Sequence, residues 1–302
     1  MLGKEYGIDI GTRYVKYMGG KFLSSIEVGY LRNCKEGVHT IKFEDVNYIV
    51  GMPSGNLVIE ENRYFSGSYL ILLLTAIAFS SKNKAGIIEA DVVLGVPVEH
   101  HAELAEEIKA HYENIGVKEI TVDGKLHIID IKSVNVFVEG ALPILNIDDE
   151  KILVIDVGAS KISIILWENQ RIIYNYIFHE SFYSLYMNIV IILNRKYGIK
   201  ARIQEIEQYI DVKTIEIKGK IVIVPEMQIM LENFIMECAG YIQMNKKFEA
   251  IACKKILIIG GGAEKTFKYF KKAFPKAEMV EDYQFVNQQG YQAVAETLSD
   301  EE

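Results

Sequence analysis

Two short sequence motifs carry the residue types that bind phosphate and metal. Their aspartates lie 147 residues apart. The first is Asp9-x-Gly11-Thr12-x-x-x-Lys16 and the second is Asp156-x-Gly158-x-Ser160. Each lies between two runs of strand-forming residues, which predicts a hairpin. Glycine lets backbone N–H groups approach phosphate oxygens, an aspartate can hold hydrated Mg²⁺, and the lysine supplies a point charge. Two facing hairpins of this kind could grip one polyphosphate from opposite sides.

A third glycine-bearing turn, Gly260-Gly261-Gly262, joins an aliphatic run at residues 256–259 to a predicted helix. A ligand can lie against bare backbone there, at the positively polarised start of a helix, although a purely structural tight turn would also use glycine. The turn does not fit the Gly-x-Gly-x-x-Gly fingerprint, because position 265 is lysine. A dinucleotide oxidoreductase is therefore disfavoured, and the sequence has no P-loop motif either.

The elements that must position these turns alternate between strands and helices, which predicts an α/β protein. In the first half, short strands cover residues 6–50, helices cover 68–80 and 99–112, and strands cover 91–96, 117–121 and 126–138. The second half repeats this plan, with hairpin strands across 152–178, helices at 181–197, 202–210, 226–246 and 263–273, and a last helix from 287. A short helical segment starts at Glu139. We expect two similar lobes, residues 1–145 and 146–302, with a hinge near 139–150.

Composition limits the function classes. The chain has 302 residues, of which 50% are hydrophobic and 25% charged, enough for two full cores. A net charge of −8 argues against extended direct contact with nucleic acid. The longest apolar run, residues 69–79, is shorter than the ~20 residues that cross a bilayer. Three cysteines without Cys-x-x-Cys spacing are typical of reduced thiols. We predict a cytoplasmic protein without membrane association.

The order of the turns is more specific than any one of them. Hairpin, hairpin and glycine turn, with the Glu139 segment before the second hairpin, resemble the actin, Hsp70 and sugar-kinase ATPase superfamily. Its phosphate-1, connect-1, phosphate-2, adenosine and connect-2 motifs are matched, in that order, by residues 9–16, 138–145, 155–161, 258–263 and 287–291. Residues 94–98 and 137–141 are most similar to the ParM-type actins of bacteria and archaea. The resemblance implies an actin-like ATPase fold, in which duplicated ribonuclease H-like lobes surround a nucleotide cleft.

The resemblance also implies roles for individual residues. Asp9 and Asp156 would hold Mg²⁺ through water, and Glu139 would orient the attacking water. The residues that it places on the nucleotide are Gly11, Thr12 and Lys16 at the β- and γ-phosphates, Gly158 and Ser160 on the opposite side, Gly260, Gly261 and Gly262 near the α-phosphate and ribose, and Glu205 at the purine and ribose.

Some of these roles have alternatives. Phosphate-2 carries Ala159-Ser160-Lys161 where related proteins often have further glycine and threonine, which leaves its contacts open. Arg13 can contact phosphate or point to solvent, and Glu205 can simply be a solvated helix residue. The adjacent His100 and His101 suggest a metal site, but neighbouring helix residues diverge by about 100°, which favours a solvated helix start.

The function implied by the resemblance is a filament-forming ATPase that polymerises head to tail with Mg-ATP, or with GTP, and hydrolyses it. Plasmid or DNA segregation through a DNA-binding adaptor is the expected role. A small-metabolite kinase is the alternative enzyme, and it needs an acceptor pocket and usually an aspartate base. A nucleotide-sensing scaffold or a membrane-tethered division protein is the third candidate, but tethering calls for an amphipathic basic end, whereas this chain ends in Ser299-Asp300-Glu301-Glu302.

Overall fold

The chain divides into two units, and the last residues belong with the first. A computed structural model describes residues 4–300 apart from 33–34, 59–61, 82–85, 141–150, 179–180, 208–209, 211–213, 218, 249 and 251. The first unit comprises Met1–Leu145 together with Asn287–Glu302, and the second comprises Asn146–Val286. The sequence prediction placed residues 287–302 in the second lobe, whereas the structure groups them with the first unit.

The first unit is built on one long sheet, whose described strands have the order β3-β2-β1-β8-β10-β9-β5-β6-β4-β7. The strands are β1 (Glu5–Ile10), β2 (Tyr14–Tyr17), β3 (Gly20–Leu23), β4 (Ser25–Val28), β5 (His39–Phe43), β6 (Val46–Val50), β7 (Asn56–Leu57), β8 (Ile87–Val96), β9 (Lys118–Val122) and β10 (Lys125–Val138). Helix α1 (Gly67–Ser80) follows β7, and α2 (Val98–Glu113) follows β8. Consecutive leucines 72–74 are all fully buried, so α1 is apolar on every side, as expected of an enclosed helix.

The second unit contains a smaller sheet of the order β13-β12-β11-β16-β17 and a separate hairpin, β14-β15. Its strands are β11 (Ile152–Val157), β12 (Ile162–Glu168), β13 (Arg171–Phe178), β14 (Thr214–Ile217), β15 (Lys220–Ile223), β16 (Lys255–Ile259) and β17 (Ala277–Met279). Its helices are α3 (Phe182–Tyr197), α4 (Ile203–Ile206), α5 (Pro225–Met244) and α6 (Ala263–Ala273). The strands β11, β12 and β16 are almost entirely buried and rich in isoleucine, which suits a sheet covered on both faces.

The two sheets repeat one design. In each unit, three consecutive strands form antiparallel pairs: β1, β2 and β3 in the first unit and β11, β12 and β13 in the second. The first strand of each set also pairs in parallel with a later strand, β8 or β16, and that strand pairs in parallel with β10 or β17. The first unit has the order β3-β2-β1-β8-β10, and the second has β13-β12-β11-β16-β17. The predicted α/β fold is confirmed, and the repetition extends from the two sequence motifs to a shared order of five strands in each sheet.

The last helix, α7 (Val286–Asp300), packs on β1 of the first unit. Because β2 pairs only with Asp9 and Ile10, the earlier backbone groups of β1 remain available on that edge. The amide of Gln292 accepts from the N–H of Gly7 at 2.8 Å and donates to the carbonyl of Glu5 at 3.1 Å. A Cβ at Gly7 would overlap the backbone of Gln292, so glycine is what allows this close contact.

Most predicted elements form, with three differences. The strand predicted at 91–96 begins earlier, at Ile87, and the helix predicted at 202–210 is described only as Ile203–Ile206. Glu139 and Gly140 form a turn, and the remainder of the predicted helical segment and hinge, residues 141–150, lies outside the described residues. Across the described part of the chain, no helix combines the length and the apolar character needed to span a membrane.

Candidate functional site

The first hairpin places a carboxylate and an ammonium side by side at its base. Asp9 of β1 lies opposite Lys16 of β2, and the Lys16 Nζ is 2.7 Å from the Asp9 Oδ2. Only 10% of the Asp9 side chain and 12% of the Lys16 side chain are exposed. The N–H of Gly11 donates to the carbonyl of Tyr14 at 3.0 Å, and the Ser24 hydroxyl donates to the carbonyl of Gly11 at 2.5 Å. These bonds fix a two-residue tip above the ion pair.

The second hairpin has the same register. Asp156 lies opposite Ser163, seven residues later, as Asp9 lies opposite Lys16. The N–H of Gly158 donates to the carbonyl of Lys161 at 3.0 Å, which repeats the closing bond of the first hairpin. The tip therefore consists of Ala159 and Ser160, and Ser160 is exposed. Because a buried serine occupies the position of Lys16, only the first hairpin offers an ammonium group at this point.

Glu139 leaves the same edge of the first sheet as Asp9. The strands β1, β8 and β10 are parallel, and Ile8, Leu94 and Val136 lie in one row. Two strands in succession span about 10 Å, since neighbouring strands lie ~4.8 Å apart. Carboxyl ends of parallel strands are where open α/β sheets bind ligands. Both predicted carboxylates of this unit thus lie at the expected edge.

The turn that carries Glu139 is held by the C-terminal helix. The N–H of Glu139 donates to the carbonyl of Val96 at 2.9 Å. Gly140 has a φ of +73°, and its N–H donates to the side-chain Oδ1 of Asn287 at 2.8 Å. Asn287 belongs to the segment identified as connect-2, but its individual contact could not be predicted, because the two residues are 147 positions apart. It acts here as a clamp on the turn beside Glu139.

The three glycines of the third turn have different surroundings. Gly260 has a φ of +90°, and a Cβ there would overlap the carboxylate of Asp156. A Cβ at Gly262 would overlap the ring of Phe182, and the N–H of Gly262 donates to the carbonyl of Val157 at 2.8 Å. A Cβ at Gly261 would meet no atom of the described residues within 4 Å. The fold therefore requires glycine at 260 and 262 but not at 261.

Glu205 has a local partner in the structure. Its Oε2 accepts from the backbone N–H of Arg202 at 2.6 Å and so caps the start of the short helix α4. A carboxylate that satisfies a helix N-terminus in this way is bound to its own element. Contact with a purine or ribose would compete with this cap, and that role stays a prediction.

Arg63 is a residue that sequence reasoning missed. It lies on a 3-10 turn, Arg63–Phe65, directly before α1, and its Nη1 donates to the Thr12 Oγ1 at 3.3 Å. Burial opposes its positive charge, but Tyr64, Tyr69 and Glu139 outweigh that effect, so the pKa of the guanidinium is raised. The signal in the sequence is weak, because Arg63 and Thr12 are 51 positions apart.

Asp9 and Asp156 each have the chemistry of a magnesium ligand. Mg²⁺ prefers oxygen ligands and is commonly bound by one or two carboxylates together with substrate phosphates. Asp9 and Asp156 are both buried at strand ends, with 7% and 8% exposure. Within the described ranges, no group of three His, Cys, Asp or Glu side chains could hold a metal by itself. His101 instead has its Nε2 2.9 Å from the carbonyl of Val136.

We expect the buried Asp9–Lys16 pair to contribute to stability. Lys16→Met leaves a buried carboxylate without its cation, which should lower the free energy of unfolding by about 1–3 kcal/mol. In a double-mutant cycle measured by urea unfolding, adding Asp9→Asn should recover part of that loss. The matched control is the exposed pair Lys42–Asp45, whose removal should have no measurable effect. Equal coupling energies for the two pairs would contradict this expectation.

Comparisons with known proteins show an actin-like fold. Residues 7–141 match the model of the N-terminal domain of actin-like proteins. An archaeal actin homologue in complex with ADP is 20% identical, with a TM-score of 0.80 over 98% of this chain and 100% of that chain. A 15-stranded ParM filament from Clostridium botulinum is 19% identical, with a TM-score of 0.77 over 98% and 100%. The Alp12 filament structure is 19% identical, with a TM-score of 0.70 over 98% and 100%. A search of curated proteins found no match.

Proposed function

We propose that this chain, which has the actin-like fold and carries an actin-like N-terminal domain at residues 7–141, is a nucleoside triphosphatase that assembles into filaments. The observation that carries the proposal is the repeated hairpin register, which puts Asp9 and Asp156 at the same position of the five-strand order that the two sheets share. A duplicated carboxylate beside a glycine turn suits the binding of one magnesium-bound polyphosphate.

The chemistry is divided unequally between the two units. In the first unit, the ammonium of Lys16 and the hydroxyl of Thr12 would contact the terminal phosphates, and Glu139 would orient the attacking water. Positioning and charge stabilisation supply most of the rate in phosphoryl transfer. In the second unit, Ser163 replaces Lys16, so that hairpin would contribute Asp156, Gly158 and Ser160. Mg²⁺, when bound, would neutralise phosphate charge.

The turns that join a strand to a helix also differ between the units, and here the second unit is the one that offers open backbone to a ligand. Ile8 pairs with Leu94 as Ile155 pairs with Ile258, so Val96 and Pro97 occupy the positions of Gly260 and Gly261. Proline has no N–H to donate, whereas the glycine turn leaves its backbone open to a ligand. Helix α6 also begins without a side-chain cap, which favours an anionic group at its N-terminus. The second unit would therefore hold the α-phosphate and ribose.

Self-association is the second part of the proposal. The solved relatives include a ParM filament and an Alp12 filament. Contacts that run head to tail and do not close produce helical filaments. We propose that ATP or GTP promotes assembly and that hydrolysis destabilises it, in the cytoplasm, for the segregation of plasmid or other DNA. Because the net charge is −8, a DNA-binding adaptor would make the contact with DNA.

Light scattering and pelleting test the proposal directly. Purified protein well above micromolar concentration should assemble with Mg-ATP or Mg-GTP, and should not assemble with Mg-ADP or with EDTA present. Asp156→Asn should abolish the response, whereas Asp45→Asn, an exposed change, should leave it unchanged. Flat scattering with every nucleotide would contradict filament formation. Nucleotide consumption that requires an added metabolite would favour the kinase alternative.

A further inference from the structure

Arg63 is anchored firmly at its backbone. Its carbonyl accepts from the N–H of Ser66 at 3.1 Å and from the Ser66 hydroxyl at 2.7 Å. The same hydroxyl accepts from the N–H of Tyr69 at 3.2 Å and so caps α1. A serine at this position is a strong helix N-cap. The start of the Arg63 side chain is therefore fixed relative to the long buried helix of the first unit.

The guanidinium is aimed at the tip of the first hairpin. It lies over the ring of Tyr64, 5.2 Å from the ring centroid, and donates to the Thr12 hydroxyl at 3.3 Å. Tyr64 is buried, and its carbonyl accepts a hydrogen bond from the buried Tyr112 hydroxyl. Stacking on an aromatic face that is itself fixed limits the directions in which a planar fork can point.

Arg63 lies in the field of Glu139. The charge of Glu139 contributes to raising the pKa of the Arg63 guanidinium. Asp9 is itself paired with Lys16 at 2.7 Å. The site thus holds a permanently charged fork near both the hairpin tip and the carboxylate proposed to orient water. Such a fork matches phosphate oxygens, which it can bind through two parallel hydrogen bonds.

We propose that Arg63 is a further catalytic residue, whose guanidinium binds the terminal phosphoryl group as that group is transferred. The inference rests on the proposed function. In hydrolysis the water oxygen forms a new bond to phosphorus, and the bond to the bridging oxygen breaks with its electron pair left on the diphosphate. One water proton stays on the released phosphate and the other goes to solvent. Arg63 would stabilise the charge on the equatorial oxygens, which arginines in other phosphoryl-transfer enzymes do.

A purely structural Arg63 would behave differently. If it only secures the start of α1, its removal should lower thermal stability and should weaken ADP and ATP binding alike. A contact with the terminal phosphoryl group instead predicts an effect confined to the triphosphate. Two variants separate these roles: Arg63→Gln keeps a donor for Thr12 without the charge, and Arg63→Lys keeps the charge without the planar fork.

The experiment measures ADP affinity, ATP affinity and single-turnover phosphate release for the wild type and both variants. We expect release to fall about 100- to 1000-fold in Arg63→Gln, the usual cost of one such donor, with ADP affinity within twofold of the wild type. Arg63→Lys should recover only part of the rate. The exposed Arg32→Gln is the matched control and should behave as the wild type.

Each outcome is decisive. If the wild type hydrolyses ATP and both variants release phosphate at its rate, the Arg63 inference is overturned and the proposed function stands. Equal weakening of ADP and ATP with a lowered melting temperature also overturns it, in favour of a structural role. If Arg63→Gln does not fold, Arg63→Lys alone decides by its release rate. A wild type that binds no nucleotide overturns both the inference and the function beneath it.

Discussion

Glu139→Gln is expected to slow phosphate release about 100- to 10,000-fold while leaving ATP-driven assembly intact. The range is that of a positioned acid or base. Glutamine keeps the size of the side chain and one acceptor oxygen, but it lacks the negative charge that would orient the attacking water and take up its proton before that proton passes to solvent. The turn that carries it should be undisturbed, because the bonds from Glu139 to Val96 and from Gly140 to Asn287 use the backbone N–H groups of residues 139 and 140. Pelleting and a phosphate-release assay on the same sample separate the two effects.

The controls for Glu139 test whether its position matters as well as its charge. Glu103→Gln changes an exposed glutamate on α2 of the same unit and should alter neither reading. Asn287→Ala removes the acceptor for the Gly140 N–H, so it should slow release by a smaller factor than Glu139→Gln. Release at the wild-type rate in Glu139→Gln would show that another group orients the water, and would remove the central catalytic assignment.

Local signals explain what the sequence could predict. The two hairpins and the glycine turn each depend on residues a few positions apart, namely an apolar run, an aspartate and a glycine. Their repetition predicts the duplicated sheet, because the strands that flank each hairpin are also contiguous in sequence. The fold class and the actin-like resemblance follow from these features, and the strand orders of the two sheets agree with both.

Long-range contacts explain what the sequence could not predict. Gly140 and Asn287 are 147 positions apart, and Thr12 and Arg63 are 51 apart, so no periodicity links them. The C-terminal helix joins the first unit through Gln292 and Gln288, which bind backbone groups of β1, and a glutamine carries no local sign of its partner. Because the last helix returns to the first strand, dividing the chain by position along the sequence alone does not reproduce the two units.

Glu205 shows the opposite case, in which a local signal was available. It lies three residues after Arg202, the spacing at which a glutamate side chain reaches back to the N-cap N–H. The family resemblance suggested a nucleotide contact instead. The local hydrogen bond makes Glu205 a helix cap, whereas the family resemblance makes it a nucleotide contact. Measuring ribose discrimination in Glu205→Gln would separate these two roles.

The glycine turn provides the second large prediction, because its members separate structure from ligand binding. Gly260→Ala should lower the melting temperature by about 2–10 °C. The new methyl group would overlap the Asp156 carboxylate at a φ of +90°, and such strain costs of order 1–3 kcal/mol. Gly261→Ala should fold as well as the wild type, because its Cβ meets nothing within 4 Å. Differential scanning calorimetry without nucleotide compares the two variants.

Gly261→Ala, which should leave stability unchanged, is the variant that we expect to weaken nucleotide binding. If a nucleotide lies against bare backbone at Gly261, a methyl group there occupies the space of the ligand, and ADP affinity should fall at least about tenfold, equivalent to ~1.4 kcal/mol. Gly240→Ala in α5, where a Cβ also meets nothing within 4 Å, is the matched control and should bind ADP as the wild type does. Unchanged ADP affinity in Gly261→Ala would mean that this turn is open for some reason other than the nucleotide.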